Sequence, residues 1–227
     1  MNVLVLGASR GIGFELVRQH LAAGDSVLAT ARDDAGLARL RDVGALAHQL
    51  DVAQADSVSR LSDLLDGEKI DRVYYVAGLF AKAGAGSAPD VDAFDTLMHT
   101  NVLGAMRVIP RVAPRVEAAR GQFVFFSSEM GQIGAGAGSY GWLYRTSKAA
   151  LNMAVVAAQG DYPQAQMVLL HPGWVQTDIG TQAAPLAVQD SVQAIRKTLQ
   201  NMQRPVGPLT SQDVPFVRWD GTSFASW

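Results

Sequence analysis

The chain begins with a short apolar run that leads directly into a cluster of glycines. Residues 3–6 read V-L-V-L, residues 7–13 read G-A-S-R-G-I-G, and a helical pattern covers 14–22. This order predicts a buried strand, a tight turn and a helix start. Gly7, Gly11 and Gly13 allow the backbone to approach a pyrophosphate, and the N–H groups of the helix start face the anion. A glycine cluster alone also fits an ordinary turn, but this position predicts dinucleotide binding.

The rest of the chain alternates between strand and helix patterns. Predicted strands cover 3–6, 26–30, 45–49, 72–76, 122–126 and 166–170, and predicted helices cover 14–22, 35–43, 57–65, 91–119, 143–159 and 188–200. We expect Pro110 and Pro114 to interrupt the 91–119 helix. The alternation predicts an α/β fold, with helices on both faces of a doubly wound parallel sheet of at least six strands. With 48% hydrophobic residues, the chain 1–227 is expected to form one domain.

The end of the second predicted strand indicates which nicotinamide cofactor is preferred. Sites that bind a free ribose 2′-hydroxyl use an acidic residue there, whereas this chain has Arg32. With Ser9 and Arg10 of the glycine turn, Arg32 can hold a 2′-phosphate through charge-assisted hydrogen bonds. We therefore expect NADP(H), with NAD(H) as the alternative. In the competing interpretation, Asp33 and Asp34 cap a helix and pair with Arg32 at the surface.

Small and polar residues follow four of the predicted strands. In doubly wound sheets, ligands lie beyond the carboxyl ends of the strands, where the winding reverses. The residues at these ends are Asp51, Val52, Ala77, Gly78, Ser127, Ser128, Pro172 and Gly173. Asp51 is a candidate acceptor for the adenine amino group, or else an aspartate that caps its own loop. We expect this edge to line the cofactor site.

A tyrosine and a lysine lie four positions apart in the helix predicted over 143–159. Tyr144 and Lys148 therefore share one helical face. An ammonium beside a phenol favours the phenolate, so we expect the pKa of Tyr144 to fall from its usual ~10 toward neutrality. The spacing alone is common, and it also describes a surface tyrosine and a solvated lysine. Together with Ser127 and Ser128 after the preceding strand, it predicts a site that reduces carbonyl groups.

Composition and charge exclude other classes of site. The formal net charge is −2 without a basic run, which argues against nucleic acid as a partner. Without cysteine, disulfides, thiolate catalysis and cysteine-based metal sites are excluded. The histidines at 20, 48, 99 and 171 share no metal-ligand spacing, so no metal is expected. Since the sequence shows neither a secretory signal nor a membrane-length apolar run, we expect a cytoplasmic protein without a membrane partner.

The order of these motifs resembles the short-chain dehydrogenase/reductase family over nearly the whole chain. The resemblance rests on residues 7–13, D-V at 51–52, N-V at 101–102, S-E-M-G at 128–131, Y-x-x-x-K at 144–148 and P-G at 172–173. The opening M-N-V-L, the 144–152 block and the 171–178 block are most similar to C-factor and sniffer-like carbonyl reductases within the family. The family implies a Rossmann-type sheet of about seven strands and a homodimer or homotetramer.

The resemblance also implies site residues. The expected catalytic residues are Ser128, Tyr144, Lys148 and Asn101. The expected cofactor-binding residues are Gly7, Ser9, Arg10, Gly11, Ile12, Gly13, Arg32, Asp51, Val52, Ala77, Gly78, Tyr144, Lys148, Pro172, Gly173, Val175 and Thr177. Asn101 also fits a helix asparagine satisfied by nearby backbone, and Thr177 also fits a helix N-cap.

Two departures from the family pattern affect this site. Residues 75–78 read Y-V-A-G where the family has N-N-A-G, so a polar prop is missing and we expect altered local bonding. Ser128 precedes the tyrosine by sixteen positions where thirteen is commoner, and the additional residues fit in the loop 132–141. Ser128 is preferred to Ser127 because it stands in an S-x-x-G relation to Gly131.

In the expected mechanism, hydride transfer places negative charge on a carbonyl oxygen, which needs hydrogen-bond donors and an acid. Tyr144 is the acid in reduction and the base in oxidation, and Ser128 donates to the substrate oxygen. Lys148 lowers the tyrosine pKa and binds the nicotinamide ribose, while Asn101 holds a water that links Lys148 to solvent.

The substrate pocket is expected to include Met130, Gln132, the loop through Trp142, Ala81, Lys82, Trp174 and residues 179–185. The two tryptophans also fit core or interface positions. The partner is a small carbonyl or alcohol compound. The alternative function is an NADP(H)-binding signalling or redox-sensing protein with little turnover. A lyase or epimerase is a third option, but the short region after Thr177 leaves little room for a separate sugar-nucleotide domain.

Overall fold

The computed structural model describes residues 1–134 and 138–225, and these contain one sheet of seven parallel strands. The strands are β1 (Asn2–Leu6), β2 (Ser26–Ala31), β3 (Leu46–Gln49), β4 (Arg72–Tyr75), β5 (Gln122–Phe126), β6 (Gln166–His171) and β7 (Phe216–Arg218). Their order across the sheet is β3-β2-β1-β4-β5-β6-β7. The winding therefore reverses between β1 and β4, as in doubly wound folds. The predicted fold class is confirmed.

Helices cover both faces of this sheet. Within the described residues they are α1 (Gly11–Ala22), α2 (Asp34–Asp42), α3 (Ala55–Ser59), α4 (Leu61–Leu64), α5 (Val91–Met98), α6 (Gly104–Ala119), α7 (Trp142–Gln159) and α8 (Val188–Asn201). A π-helical turn (His99–Leu103) joins α5 to α6, and short 3₁₀ turns lie at Glu129–Gly131 and Ser211–Asp213. In the part of the chain that the structure describes, no helix is long and apolar enough to cross a bilayer.

Two apolar cores sandwich the sheet, because alternate side chains of each strand point to opposite faces. In β5, Phe123 and Phe125 pack into the core beneath α6 and α7, whereas Val124 and Phe126 pack into the core beneath α1 and α8. All five residues of this strand are buried. The parallel register places Leu6 of β1 opposite a residue at the end of β4, so the carboxyl ends of the central strands lie together.

The helix predicted over 91–119 is interrupted at a different place from the one expected. The prediction of breaks at Pro110 and Pro114 is wrong, because α6 runs through both prolines. Both prolines are exposed, and so is Met106, one turn before Pro110. Water can therefore solvate the carbonyl that each proline leaves without a helical partner. The actual interruption is the π-helical turn, which lies at the sheet edge.

Two further elements differ from the sequence patterns. The helix predicted over 57–65 is divided into α3 and α4, which meet at Arg60. The strand β7 lies in the proline-containing tail and was expected only through the family resemblance. Its backbone accepts a hydrogen bond from Phe224 N at Phe216 O, 3.0 Å away, so the following chain partly covers this edge of the sheet.

Candidate active site

The glycine turn between β1 and α1 forms a cradle that side chains would fill. Gly7 has a φ of +88°, and a Cβ there would lie 2.8 Å from the backbone nitrogen of Ala77. A Cβ on Gly13 would lie 2.4 Å from the Gly7 carbonyl oxygen. The turn therefore packs against the chain that leaves β4, at the point where the winding reverses. This geometry fits a pyrophosphate close to the backbone and to the start of α1.

The segment after β6 closes against the same turn. A Cβ on Gly11 would lie 3.3 Å from Cγ2 of Thr177. The Thr177 hydroxyl accepts a hydrogen bond from Gly180 N at 3.1 Å and so closes a turn. Within the described residues no helix begins here, so the helix N-cap given above as its alternative is wrong. Next to it, Asp178 forms an ion pair with Arg10 at 2.9 Å, and both side chains are about two-thirds exposed. Thr177 thus combines a turn-closing bond with a position beside the glycine turn.

The end of β2 presents arginine side chains beside the glycine turn. Asp33 caps α2 by accepting a hydrogen bond from Gly36 N at 2.7 Å, as the competing interpretation expected. Within residues 1–134 and 138–225, however, no ion pair joins Asp33 or Asp34 to Arg32, and the Arg32 side chain is exposed. A residue that the sequence analysis missed, Arg39 of α2, donates from Nε to the carbonyl oxygen of Ser9 at 3.2 Å. Arg39 therefore brings one guanidinium group to the glycine turn, and Arg32 offers a second, exposed one at the end of β2.

Asp51 lies at the end of β3 and is engaged with its own loop. Its carboxylate accepts a hydrogen bond from Ala53 N at 3.0 Å, which is the alternative role given above. Its backbone N–H donates to the Ser57 hydroxyl at 3.0 Å. The neighbouring Val52 is buried and packs near Gly104, at the start of α6.

Ser128, Tyr144 and Lys148 meet beyond the end of β5. The Ser128 hydroxyl lies beside the phenol of Tyr144, where it favours the ionised form of the tyrosine. Lys148 lies one turn further along α7, with its Nζ 5.6 Å from the centroid of the tyrosine ring, and it donates to the carbonyl oxygen of Phe126 at 2.6 Å. Lys148 is buried, with 4% of its surface exposed. The three groups predicted from the sequence are therefore brought together.

The pKa of Tyr144 differs from the sequence expectation. Burial raises the pKa of Tyr144 to about 12, although the Ser128 hydrogen bond opposes this shift. Burial also lowers the pKa of Lys148 to about 8. The expected lowering of the tyrosine pKa is thus wrong for this structure, because desolvation disfavours the charged form of both groups. At neutral pH the site presents a protonated phenol beside an ammonium.

Ser127 and Ser128 have separate roles. Ser127 is buried and donates to Oδ1 of Asn152 at 2.5 Å, so it ties β5 to α7. Ser128 instead accepts from Met130 N at 3.1 Å at the start of the 3₁₀ turn. This turn presses against α7, since a Cβ on Gly131 would lie 3.0 Å from the backbone of Lys148. The S-x-x-G spacing therefore identifies the serine that faces the tyrosine.

Asn101 lies in the π-helical turn and has no exposed surface. Its Oδ1 accepts from Leu79 N at 2.7 Å, and its Nδ2 donates to Leu79 O at 3.0 Å and to the Ser147 hydroxyl at 2.9 Å. The Ser147 hydroxyl in turn donates to the carbonyl oxygen of Tyr144 at 2.8 Å. Asn101 therefore connects the chain after β4 to the helix turn that carries the tyrosine. A Cβ on Gly78 would lie within 3.6 Å of both the asparagine oxygen and the Lys148 ammonium.

The polar side chain expected to be missing after β4 is replaced by the hydroxyl group of Tyr75. The hydroxyl of Tyr75 donates to the carbonyl oxygen of Thr100 at 2.9 Å, which holds the π-helical turn against the sheet. The backbone N–H groups of Val76 and Ala77 both donate to the carbonyl oxygen of Leu6. Local bonding is altered, as expected, and Ala77 stays beside the glycine turn.

Several of the residues expected in the substrate pocket surround the mouth of this site. A Cβ on Gly141 would lie 3.0 Å from Cε of Met130 and 3.4 Å from the carbonyl oxygen of Ala81, and Gly141 N donates to Lys82 O at 3.3 Å. Trp174 is 56% exposed and donates to Gly180 O at 2.6 Å. Gln132, Trp142 and the segment 179–185 lie in the described part, whereas residues 135–137 of the predicted loop lie outside it.

Phe80 is a pocket residue that the sequence analysis missed. Its ring meets the Tyr144 ring edge-to-face, with centroids 4.7 Å apart, and it lies 6.0 Å from the Tyr140 ring. The contact fixes the orientation of the phenol from the side opposite α7. The only sequence signal was its position, two residues after Gly78.

The sheet order and the glycine turn define a Rossmann-type protein that binds a dinucleotide at the switch between β1 and β4. A family model described as short chain dehydrogenase matches residues 1–186. The chain belongs to the short chain dehydrogenase family, and is an oxidoreductase that uses a nicotinamide cofactor. The predicted family is therefore confirmed.

Two curated relatives and two solved structures show where the chain lies in this family. It is 31% identical over 230 residues to 1-hydroxy-2-glutathionyl-2-methyl-3-butene dehydrogenase of Rhodococcus sp. (strain AD45), covering 96% of this chain and 99% of that protein. It is 37% identical over 132 residues to C-signal of Myxococcus xanthus, covering 56% and 76% of the two chains. A short-chain dehydrogenase/reductase from Burkholderia multivorans with bound NADP has a TM-score of 0.88 at 29% identity, covering 100% and 99%. The carbonyl reductase Sniffer of D. melanogaster has a TM-score of 0.85 at 26% identity, with the same coverage.

Proposed function

We propose that this protein is an NADPH-dependent reductase of ketone or aldehyde carbonyl groups, with Ser128, Tyr144, Lys148 and Asn101 as its working residues. One observation carries the proposal. A protonated phenol, beside a serine hydroxyl and a buried ammonium, lies at the same sheet edge as the glycine cradle. Alcohol oxidation is the reverse reaction of the same site.

Tyr144 supplies the proton. Bound NADPH would supply the hydride, which turns a carbonyl carbon into an alkoxide. With a pKa of about 12, Tyr144 is protonated at neutral pH and donates to the developing alkoxide oxygen. The Ser128 hydroxyl donates a second hydrogen bond to the same oxygen, and Lys148 contributes positive charge where negative charge develops.

Asn101 acts as a positioning residue. Both hydrogens of its amide are used on Leu79 O and the Ser147 hydroxyl, so its side chain braces the tyrosine turn. The water-holding role expected from the family resemblance stays a prediction.

The residues present fit a dinucleotide with a 2′-phosphate. The cradle of Gly7, Gly11, Ile12 and Gly13 would hold the pyrophosphate, and Thr177 contacts this turn from the segment after β6. At the ribose end, Arg32 and Arg39 offer guanidinium donors near Ser9, whereas Arg10 is paired with Asp178. This donor set favours NADP(H) over NAD(H), because a free 2′-hydroxyl needs no cation. The remaining expected cofactor contacts are Asp51, Val52, Ala77, Gly78, Pro172, Gly173 and Val175.

The test is NADPH and NADH consumption by the purified protein against quinones, diketones, aldehydes and ketones. We expect turnover with NADPH, and a loss of about 10²–10⁴-fold in Tyr144→Phe, the range typical of a general acid. Tyr140→Phe is the matched control, since this exposed tyrosine precedes Tyr144 by four residues and lies outside α7. Full activity in Tyr144→Phe would remove the tyrosine from the mechanism.

The similarity to C-signal supports a second candidate, a cofactor-binding signalling protein with little turnover. A signalling protein needs the glycine cradle but has no use for a buried serine, tyrosine and lysine cluster. Tight NADPH binding without reduction of any carbonyl in the panel would favour this candidate.

The domain organisation and the position of the substrate are also part of the proposal. We propose that residues 1–227 act as one cofactor-binding domain that takes a small carbonyl or alcohol substrate between Phe80, Met130 and Trp174.

The helices α5, α6 and α7 expose Phe94, Met106 and Met153 at 42%, 53% and 68%. These side chains suit a homodimer or homotetramer contact.

A further inference from the structure

A cavity lies at the opposite edge of the sheet from the candidate active site. Its volume is about 370 Å³, and it forms where β1 and β4 begin, α1 ends and one face of α8 passes. The side chains that matter here are His20, Asp25, Arg72, Arg196 and Lys197. None of them belongs to the cofactor cradle or to the tyrosine site.

The cavity carries an excess of positive charge at neutral pH. Burial, reinforced by the charges of Arg196 and Arg72, lowers the pKa of His20 to about 4, so the histidine is neutral. Burial opposes the ionisation of Asp25, but its hydrogen bond with His20 Nδ1, 2.6 Å long, keeps the pKa of this carboxyl below its usual range. Two arginines, a lysine and the Met1 ammonium therefore face one carboxylate, which the ammonium and His20 already engage.

The two guanidinium groups lack counter-ions of their own. Arg72 is 9% exposed, and its Nε is buried without a hydrogen-bond partner among the described residues, as is Nε of Arg196. No ion pair in the described part of the chain includes either arginine. The Arg72 side chain donates to Leu199 O over a long 3.4 Å. A buried charge without a partner is costly, so an anion in this cavity would stabilise the protein.

We propose that this cavity is a binding site for a phosphate group, as inorganic phosphate or as a small phosphomonoester, held by Arg72, Arg196 and Lys197. Guanidinium forks match the oxygens of a phosphate, and a dianion offsets the charges of Arg72 and Arg196, which have no counter-ion in the described part of the chain. The volume lies at the lower end of the range for small-molecule pockets. The competing role is purely structural, since Arg72 also interacts favourably with the last carbonyls of α8.

The test is equilibrium dialysis of the purified protein against labelled inorganic phosphate, at constant ionic strength and with saturating NADP⁺. We expect one phosphate per chain with a millimolar or tighter dissociation constant. Arg196→Gln and Lys197→Gln should each weaken binding about tenfold. Arg111→Gln, an exposed arginine of α6, and Arg32→Gln, in the candidate cofactor site, should leave it unchanged.

Three results would overturn the proposal. They are the absence of bound phosphate in the wild type, equal binding by wild type and both α8 variants, or loss of binding in Arg32→Gln, which would place the phosphate in the cofactor site. Because Arg196 and Lys197 keep exposed surface, we expect both variants to fold, and circular dichroism with thermal unfolding checks this. Competition by glycerol 3-phosphate then shows whether the site prefers inorganic phosphate or a small phosphomonoester. Stronger displacement by the ester than by phosphate identifies a phosphomonoester, and weaker displacement identifies inorganic phosphate.

Discussion

Raising the pH above neutrality should stabilise the protein through Lys148. Burial lowers the pKa of the Lys148 ammonium from its ordinary 10.5 to about 8. The folded protein therefore releases this proton at a lower pH than the unfolded chain does. The cost of burying the charge is complete below about pH 8 and disappears as the pH rises toward 10.5. This lowering corresponds to ~3 kcal/mol, of which ~2 kcal/mol is recovered between about pH 7.5 and 9.5.

Urea unfolding of the wild type and of Lys148→Met over this pH range measures the effect. Methionine keeps an unbranched buried side chain but leaves the carbonyl of Phe126 without its donor, a cost of about 1–3 kcal/mol that does not vary with pH. Tyrosine ionisation in the unfolded chain affects both proteins equally. We therefore expect the free energy of unfolding of the wild type to rise by ~2 kcal/mol relative to the variant. Parallel pH profiles would refute the reasoning, because they would mean that Lys148 has the same pKa in both states.

Two further predictions concern residues that emerged only from the structure. Arg39→Ala should weaken NADPH binding about tenfold and leave NADH binding unchanged, because Arg39 lies beside Ser9 at the proposed 2′-phosphate site; fluorescence titration with both cofactors measures this, and an equal loss for both would contradict it. Tyr75→Phe should lower the free energy of unfolding by about 1–2 kcal/mol, because it removes the donor to the buried carbonyl of Thr100. Urea unfolding tests the second prediction, and an unchanged midpoint would show that the hydroxyl does not hold the π-helical turn.

The sequence predicted those parts of the fold in which a local pattern and burial agree. The strand Gln122–Phe126 has the predicted bounds, since an unbroken apolar run after a glycine suits a strand covered on both faces. Three-residue β7 has no comparable pattern, because it is too short to show a period and follows a proline. For α6 the sequence pattern wrongly predicted an interruption. Proline normally interrupts a helix, but Pro110 and Pro114 lie on the exposed face, where water can solvate the carbonyls that lose their helical partners.

The site residues show the same contrast. Those related by spacing within one element could be predicted, whereas contacts between separate elements could not. Tyr144 and Lys148 could be predicted because one helix carries both, and Ser128 because its distance to Gly131 reflects the close approach of the 3₁₀ turn to α7. Phe80 and Arg39 could not be predicted, since each meets its partner only after separate elements pack together. The sign of the tyrosine pKa shift could not be predicted either. It depends on how much water the folded chain removes, and sequence spacing does not report desolvation.

The two pKa shifts determine which proton transfer the site can make at neutral pH. As an acid, Tyr144 is ready at neutral pH, because a phenol with a pKa of about 12 is fully protonated. As a base, it must first lose that proton, which at pH 7 costs ~7 kcal/mol. The Lys148 ammonium would reduce this cost, but it begins to lose its own charge near pH 8, well before the phenol ionises. Raising the pH therefore neutralises the Lys148 ammonium before it ionises the Tyr144 phenol. Near neutral pH the site is therefore set to donate a proton, the step that carbonyl reduction requires.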